Sequence, residues 1–455
     1  MKRINLTIIY LIIILAFTSC EDVLDNPPAT GLSPDKLTDI ESMEGLVYGA
    51  YSQARGWGIT NLPAFTETMA RNTKPFNENY VHFYNHVVNA HMSSSLFSTG
   101  YAVLSNLNTI AVSNVPEMDA TEAQKNSVLG DMHFLRALVY FELNNYYTLP
   151  STGYSVPLIS EPVNVDDRVS CSKSNDIQAF VKEEIEKARQ YLASNKGNVI
   201  DYHIATALAA RICFFYKDYG KAYSYANEVI QSGNYALESK AIDVFNNWER
   251  TKEAIYSLPY RDDEAKPASG LNAVYRQEAN TELRVNTEGD LFSIMHEDEA
   301  DQRLNDFFTE KLNSEGVLQV YADKKYYTDK MALIYIRLAE MYLVRSEANI
   351  RKNNDVSQQD VDDLNATRTR AGLSPLALNN MLNVQTALDI LYKERTKEFA
   401  YEAGDFLLNI KRLEKSLPKI PSEGSGRKPY SESANVLIFD FPQQEIDIHG
   451  LTRTP

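Results

Sequence analysis

Three histidines lie close together in the first quarter of the chain, His82, His86 and His91. On a helix the four-residue spacing of His82 and His86 would put two imidazoles on one face, as in a zinc site. No acid stands at HExxH spacing and the stretch reads as loop, so no metal is expected there. Glu297, Asp298, Glu299 and Asp301 form an acidic cluster that could attract calcium. It lacks the alternating ligand positions and the glycine of a calcium loop, and a solvated face is the plainer reading. Cys171 and Cys213 have no histidine at ligand spacing, and Cys213 sits in an apolar helical run that reads as core. Nucleophile elbow, phosphate loop, zincin and dinucleotide fingerprints are all missing. No pair of carboxylates can be placed face to face. The expectation is a chain with no catalytic residue, no metal and no cofactor.

The remaining chemistry is aromatic. Trp57, Phe65, Phe76, Tyr80, Phe83, Tyr84 and Phe97 crowd one stretch, interleaved with Asn77, Asn79, Asn85 and Asn89. Rings stack on the apolar faces of sugars or peptides, and amides hydrogen-bond hydroxyls or backbone. The alternative is that these rings pack the stretch onto its support.

That support reads as helices. Apolar residues recur with helical spacing over Asp35–Ser52, Asn175–Leu192, Tyr202–Tyr216, Gly220–Gln231, Leu333–Arg351, Ser357–Arg370, Val384–Tyr401 and Asp405–Lys415. Thr121 with Gln124 three residues on predicts a capping box that opens a helix running to Tyr147. Strand signals are sparse, Val436–Phe441 and short pieces around Ile255. Ala207, Ala209, Ala210, Ala222 and Ala226 flank an aromatic turn in the tetratricopeptide style, where small residues let paired helices approach closely. The fold class expected is mostly all-α, a tetratricopeptide-like helical-repeat scaffold with long irregular insertions at about 56–106 and 234–327. Such a scaffold lets 33–455 form one domain despite its length.

The first twenty residues read as an address. Lys2 and Arg3 precede the apolar run Ile8–Phe17, which is too short to span a bilayer. Thr18-Ser19-Cys20 follows like a lipobox, so 1–19 is expected to be a signal peptide, Cys20 the lipidation site and 20–32 a tether. With 45 Lys and Arg against 61 Asp and Glu, the net charge of −16 argues against a nucleic-acid partner.

Six phrases, in order, resemble the SusD/RagB family of outer-membrane nutrient-binding lipoproteins. They are Leu135-Arg136-Ala137-Leu138-Val139-Tyr140-Phe141 with Pro157-Leu158-Ile159; Asp301-Gln302-Arg303; Tyr335-Ile336-Arg337-Leu338-Ala339-Glu340-Met341-Tyr342-Leu343 with Ser346-Glu347-Ala348; Leu364-Asn365-Ala366-Thr367-Arg368-Thr369-Arg370-Ala371-Gly372-Leu373; Glu394-Arg395 with Glu398-Phe399-Ala400-Tyr401-Glu402; and Phe441-Pro442 with Glu445-Ile446. Taken as residues, these phrases read as structural. Arg337 to Glu340 and the stretch Glu394 to Glu398 read as intrahelical charge pairs, and Arg368, Arg370, Glu394 and Glu402 as a buried ionic network that sets helix packing.

The resemblance implies a non-enzymatic surface lipoprotein of the outer membrane. It would take up an oligomeric nutrient, a glycan or alternatively an oligopeptide, and deliver it to a SusC-type TonB-dependent barrel transporter. Glu21-Asp22 behind Cys20 resembles the signal for display on the outer face. The ligand face would be built from the two insertions, with Trp57, Asn77, Tyr80, Phe83, Tyr84 and Phe97 from the first. Tyr260, Tyr275 and Phe292 would come from the second, together with Trp248. A tetratricopeptide envelope scaffold with no small ligand is the rival reading.

Overall fold

The computed structural model describes residues 37–56, 61–76, 78–87, 94–163, 167–193, 199–246, 251–258, 269–276, 282–327 and 333–453. The signal peptide, Cys20, the tether, Trp57, Asn77, His91, Trp248 and Tyr260 lie outside them.

The helices stack side by side in one row. In packing order they are Ile40–Gly56, Ser94–Val112, Glu122–Tyr147, Ser174–Leu192, Tyr202–Phe215, Tyr219–Gln231, Leu338–Asn353, Gln358–Arg370 and Val384–Glu398. The row packs in a repeat-like way, interrupted in sequence but continuous in space, because Tyr219–Gln231 packs directly on Leu338–Asn353. Glu122–Tyr147 sits centrally and is buried on nearly every side. Its start is the expected capping box: Thr121 Oγ1 accepts from the Gln124 amide at 3.3 Å, and Gln124 Oε1 accepts from the Thr121 amide at 3.2 Å. Gly130 is needed there, since a Cβ would stand 2.7 Å from the Leu192 side chain of the next helix. Ser174–Leu192 buries one stripe, Ile177, Val181, Ile185, Ala188 and Leu192, at the spacing of a single helix face. Ala207, Ala209, Ala210, Ala222 and Ala226 are all fully buried where the next pair meets.

Three expectations are corrected. The periodic run 333–351 opens with a strand, Ile334–Arg337, paired antiparallel with Ala254–Ser257, and turns helical at Leu338. The short apolar run fits either state, and the partner strand decides. The 436–441 segment is not a strand among the described residues. It begins in a short 3-10 turn, Ala434–Val436, and then bends, burying 437–439 against the end of the central helix, with the Phe439 amide donating to the Tyr146 carbonyl at 2.7 Å. The first insertion is not irregular throughout, for it holds the helices Leu62–Met69 and Glu78–Tyr84 and the start of Ser94–Val112.

The two insertions meet each other. Thr73–Pro75 pairs antiparallel with Leu283–Val285, with Lys74 opposite Arg284. Around that ribbon the Phe76 amide donates to the Glu282 carbonyl, and Asn286 Nδ2 donates to the Arg71 carbonyl at 2.7 Å. Gly289 permits the closest approach, since a Cβ there would lie 2.8 Å from the Arg71 carbonyl oxygen.

Candidate functional site

Behind the ribbon lies a buried ionic network. Arg337 donates to Glu402 and Glu253 at 2.8 Å each and to Glu398 at 2.6 Å. Arg303 bridges Asp301, Glu394 and Glu398 at 2.7–2.9 Å. Arg370 joins Glu253 to Glu398, and Arg368 stands 3.8 Å from Glu394. Burial pushes the Glu398 carboxyl up, but Arg370, Arg337 and Arg303 outweigh it and hold the group far below the usual carboxylate range. The network expected from Arg368, Arg370, Glu394 and Glu402 is therefore present, with Arg303, Arg337, Glu253 and Glu398 at its centre. The expected pair within the 338–353 helix is not formed. Arg337, at the strand end, turns to Glu253, Glu398 and Glu402, while Glu340 accepts from Arg211 and Arg395 at 2.9 Å each. Each of these side chains has its charge satisfied, which suits a framework rather than a reactive centre.

In front of the network the ribbon carries an open face. Phe76 is 54% exposed, and the Arg284 guanidinium sits 4.1 Å from its ring centroid. Arg284 also reaches over Tyr321, as does Lys311 from the neighbouring hairpin Thr309–Leu312/Leu318–Tyr321. Tyr84 is half-buried at the other edge, its phenol pushed up by burial, and Tyr327 is exposed. Arg71 anchors this side by donating to Glu423 at 2.7 Å. Burial pushes Glu423 up, but hydrogen bonds from Arg71 and Lys428 outweigh it and hold the carboxyl down at about 2.

Among the described residues, four of the six rings expected to meet ligand are core. Phe83 is 0% exposed, stacked on Phe65 at 4.6 Å with its edge to Phe439 at 5.8 Å. Tyr80 is buried on the same Phe65 ring. Phe97 packs between Tyr147 and Phe441 at 5.6 Å each, and Tyr275 stacks on Tyr326 and meets Tyr401 edge-on at 5.2 Å. Phe292 is half-buried against His296. An insertion of this length needs apolar anchors of its own, and these rings supply them. Of the residues singled out, Tyr84 keeps a partly open ring on the ribbon side. Phe76 was only one of the crowd in the sequence, and Arg284 carried no signal, since their pairing depends on the register of two distant strands.

Among the described residues, His82 and His86 do not come together as metal ligands. His86 is buried with Nε2 2.8 Å from the Met69 carbonyl, and burial pulls it down to about 4, while His82 faces solvent. The acidic cluster is split, because Asp301 is buried on Arg303 and Glu297 pairs with Lys393 at 2.6 Å. Cys171 and Cys213 are buried, and no group of His, Cys, Asp or Glu among the described residues is arranged to hold a metal. A cleft of about 410 Å³ lies away from the ribbon, between Ser94–Val112, residues 157–163 and 167–169 and the helix Gln443–His449. Phe97 and Tyr101 form part of its wall, but Phe97 is core and the Tyr101 hydroxyl is spent on the Pro157 carbonyl at 2.6 Å.

The SusD family model matches residues 215–417. A SusD-like protein of Formosa agariphila is 25% identical over 283 residues, 57% of this chain, and the match spans about half of that relative, 53%. A SusD superfamily structure from Bacteroides thetaiotaomicron has TM-score 0.77 at 20% identity, covering 92% of this chain and 100% of its own. A SusD-like carbohydrate binding protein from Bacteroides vulgatus has TM-score 0.75 at 16% identity, covering 91% and 98%. Surface glycan-binding protein A from Bacteroides thetaiotaomicron, solved in complex with laminarihexaose, has TM-score 0.70 at 18% identity, covering 90% and 97%. With a family match over 215–417 and the fold shared over nine-tenths of the chain, the resemblance to the SusD/RagB family is borne out.

Proposed function

We propose that this chain is a surface-exposed outer-membrane lipoprotein, anchored through Cys20, that binds an oligomeric glycan without turning it over. It passes that cargo to a SusC-type TonB-dependent transporter. The glycan reading draws support from two structural neighbours described as carbohydrate or glycan binders. The observation that carries it is the exposed Phe76 ring capped by Arg284 where the two insertions join. An exposed ring on a rigid ribbon is a stacking platform for the apolar face of a sugar, and a guanidinium beside it donates to hydroxyls. Calorimetry against a panel of neutral and charged oligosaccharides and oligopeptides, on wild type and Phe76→Ala, tests this. Glycan binding weakened by Phe76→Ala at an unchanged melting temperature supports it. Binding of peptides alone would replace glycan with peptide as the cargo. Normal glycan binding by the variant would move the site to the 410 Å³ cleft by Tyr101.

A further inference from the structure

A second cavity, about 300 Å³, lies inside the helical row rather than on the ribbon. Its wall is made by the end of Glu122–Tyr147, the start of Ser174–Leu192, the end of Tyr202–Phe215, the helix Asp405–Leu413 and Tyr430. Lys217, Lys411 and Arg412 line it, and no carboxylate does. That is notable in a chain of net charge −16. Arg412 is held by Glu347 at 2.7 Å, but neither Lys217 nor Lys411 is in an ion pair with a described carboxylate. Lys411 instead donates to the Asn145 carbonyl, and burial, with Arg453 nearby, pulls its ammonium down to about 7. The Asn145 side-chain nitrogen is a buried donor without a partner on the same wall. Ser174 and Gln178, from the start of a 19-residue helix, complete the polar lining.

Two lysines without a described carboxylate partner, with no carboxylate among the described lining residues, leave this wall cationic. Such a wall lacks a counter-charge, and water is a poor substitute for an anion at so many donors. We propose that this cavity binds an oxyanion, the sulfate or carboxylate group of a charged ligand, at Lys217 and Lys411. Its volume is at the lower end of small-molecule cavities, so it accepts the anionic group with part of its carrier. The inference does not rest on the ribbon face.

The test uses the full chain in calorimetry with sodium sulfate, against sodium chloride at matched ionic strength. Saturable sulfate binding is expected, weakened about tenfold by Lys217→Gln, the loss of one charge-assisted hydrogen bond. Lys217 is exposed, so the melting temperature without sulfate should not move. Competition with sulfate by a uronate oligosaccharide, and not by a neutral one of equal length, would identify the anion as one carried on a sugar. Sulfate saturation without that competition would identify a free small anion. No saturation above the chloride control, or equal affinity in wild type and Lys217→Gln, overturns the proposal.

Discussion

Around Arg337 the strand 334–337 and the helices 358–370 and 384–398 are joined by charge. Around Phe83 the first insertion is joined to the scaffold mainly by rings. Arg337 touches three carboxylates from two separate segments of the chain, Glu253 from one and Glu398 and Glu402 from the other. Phe83 touches Phe65 of its own insertion and Phe439 of the C-terminal segment. The charged joint is directional, since each guanidinium fork fits one arrangement of acids, and it fixes the register of the repeat. The aromatic joint tolerates more variation in shape, provided the volume is kept. A scaffold built the first way, with the first insertion attached mainly the second way, can keep one fold while the face of that insertion changes.

Removing a charge should therefore break the scaffold most. Arg337→Ala leaves Glu253, Glu398 and Glu402 without their central partner, and a broken buried pair costs about 3–5 kcal/mol. Phe83→Ala should cost a similar ~3–5 kcal/mol through the cavity it leaves. The two differ in rescue: Phe83→Leu should recover most of the loss, and Arg337→Lys little, because one ammonium cannot replace the fork. Urea melts of the four variants measure this, and equal rescue at both places would erase the distinction.

Ala210→Trp tests where the helices of the row come closest. Ala210 is fully buried, and overpacking costs about 1–3 kcal/mol. A soluble variant with the wild-type melting temperature would contradict the packing described.

A smaller effect should appear with pH. Burial raises Glu67, Asp131 and Glu142 to about 7. Each has a hydrogen-bonded neighbour rather than a cation as direct partner: Asn72 for Glu67, and the hydroxyls of Tyr51 and Tyr335 for the others. A carboxyl whose folded pKa is raised binds its proton more tightly in the native state. Its contribution is full below the unfolded value near 4 and is lost as pH rises through about 7. The melting temperature should therefore fall from pH 5 to pH 8, and Glu67→Gln should flatten part of that slope. The arginine-paired Glu398, held low, adds no slope in this window.

The scaffold was more legible in the sequence than the face. Thr121 and Gln124 announced their capping box because a cap is local, read within four residues. The alanines at 207–210 announced a close helix contact for the same reason. Arg337 could not announce its partners, since Glu253 and Glu402 lie 84 and 65 residues away. Ring density singled out the first insertion but could not say which of its rings stay outside the core. Phe83 and Phe76 are alike in sequence, and only the pairing of 73–75 with 283–285 leaves one outside.

That pairing sets up the mildest and most informative change. Phe76→Ala removes an exposed ring, and a surface substitution of this kind changes stability by within about 0.5 kcal/mol. If the ring is a stacking platform, glycan affinity should fall by the worth of one aromatic contact, about 0.5–1.5 kcal/mol, or roughly twofold to tenfold. Arg284→Met separates stacking from charge. It keeps a flexible apolar side chain against Phe76 but removes the donors, so loss in Arg284→Met comparable to Phe76→Ala would assign recognition to hydroxyl contacts as much as to the ring. Salt separates them again, since stacking is insensitive to ionic strength and a guanidinium contact to a charged sugar is not. Calorimetry of both variants at low and high salt, with melting curves alongside, reads all three terms. A loss of binding that tracks a loss of melting temperature would place Phe76 with Phe83 as an anchor, and the contrast between face and core would then lie elsewhere on the insertions.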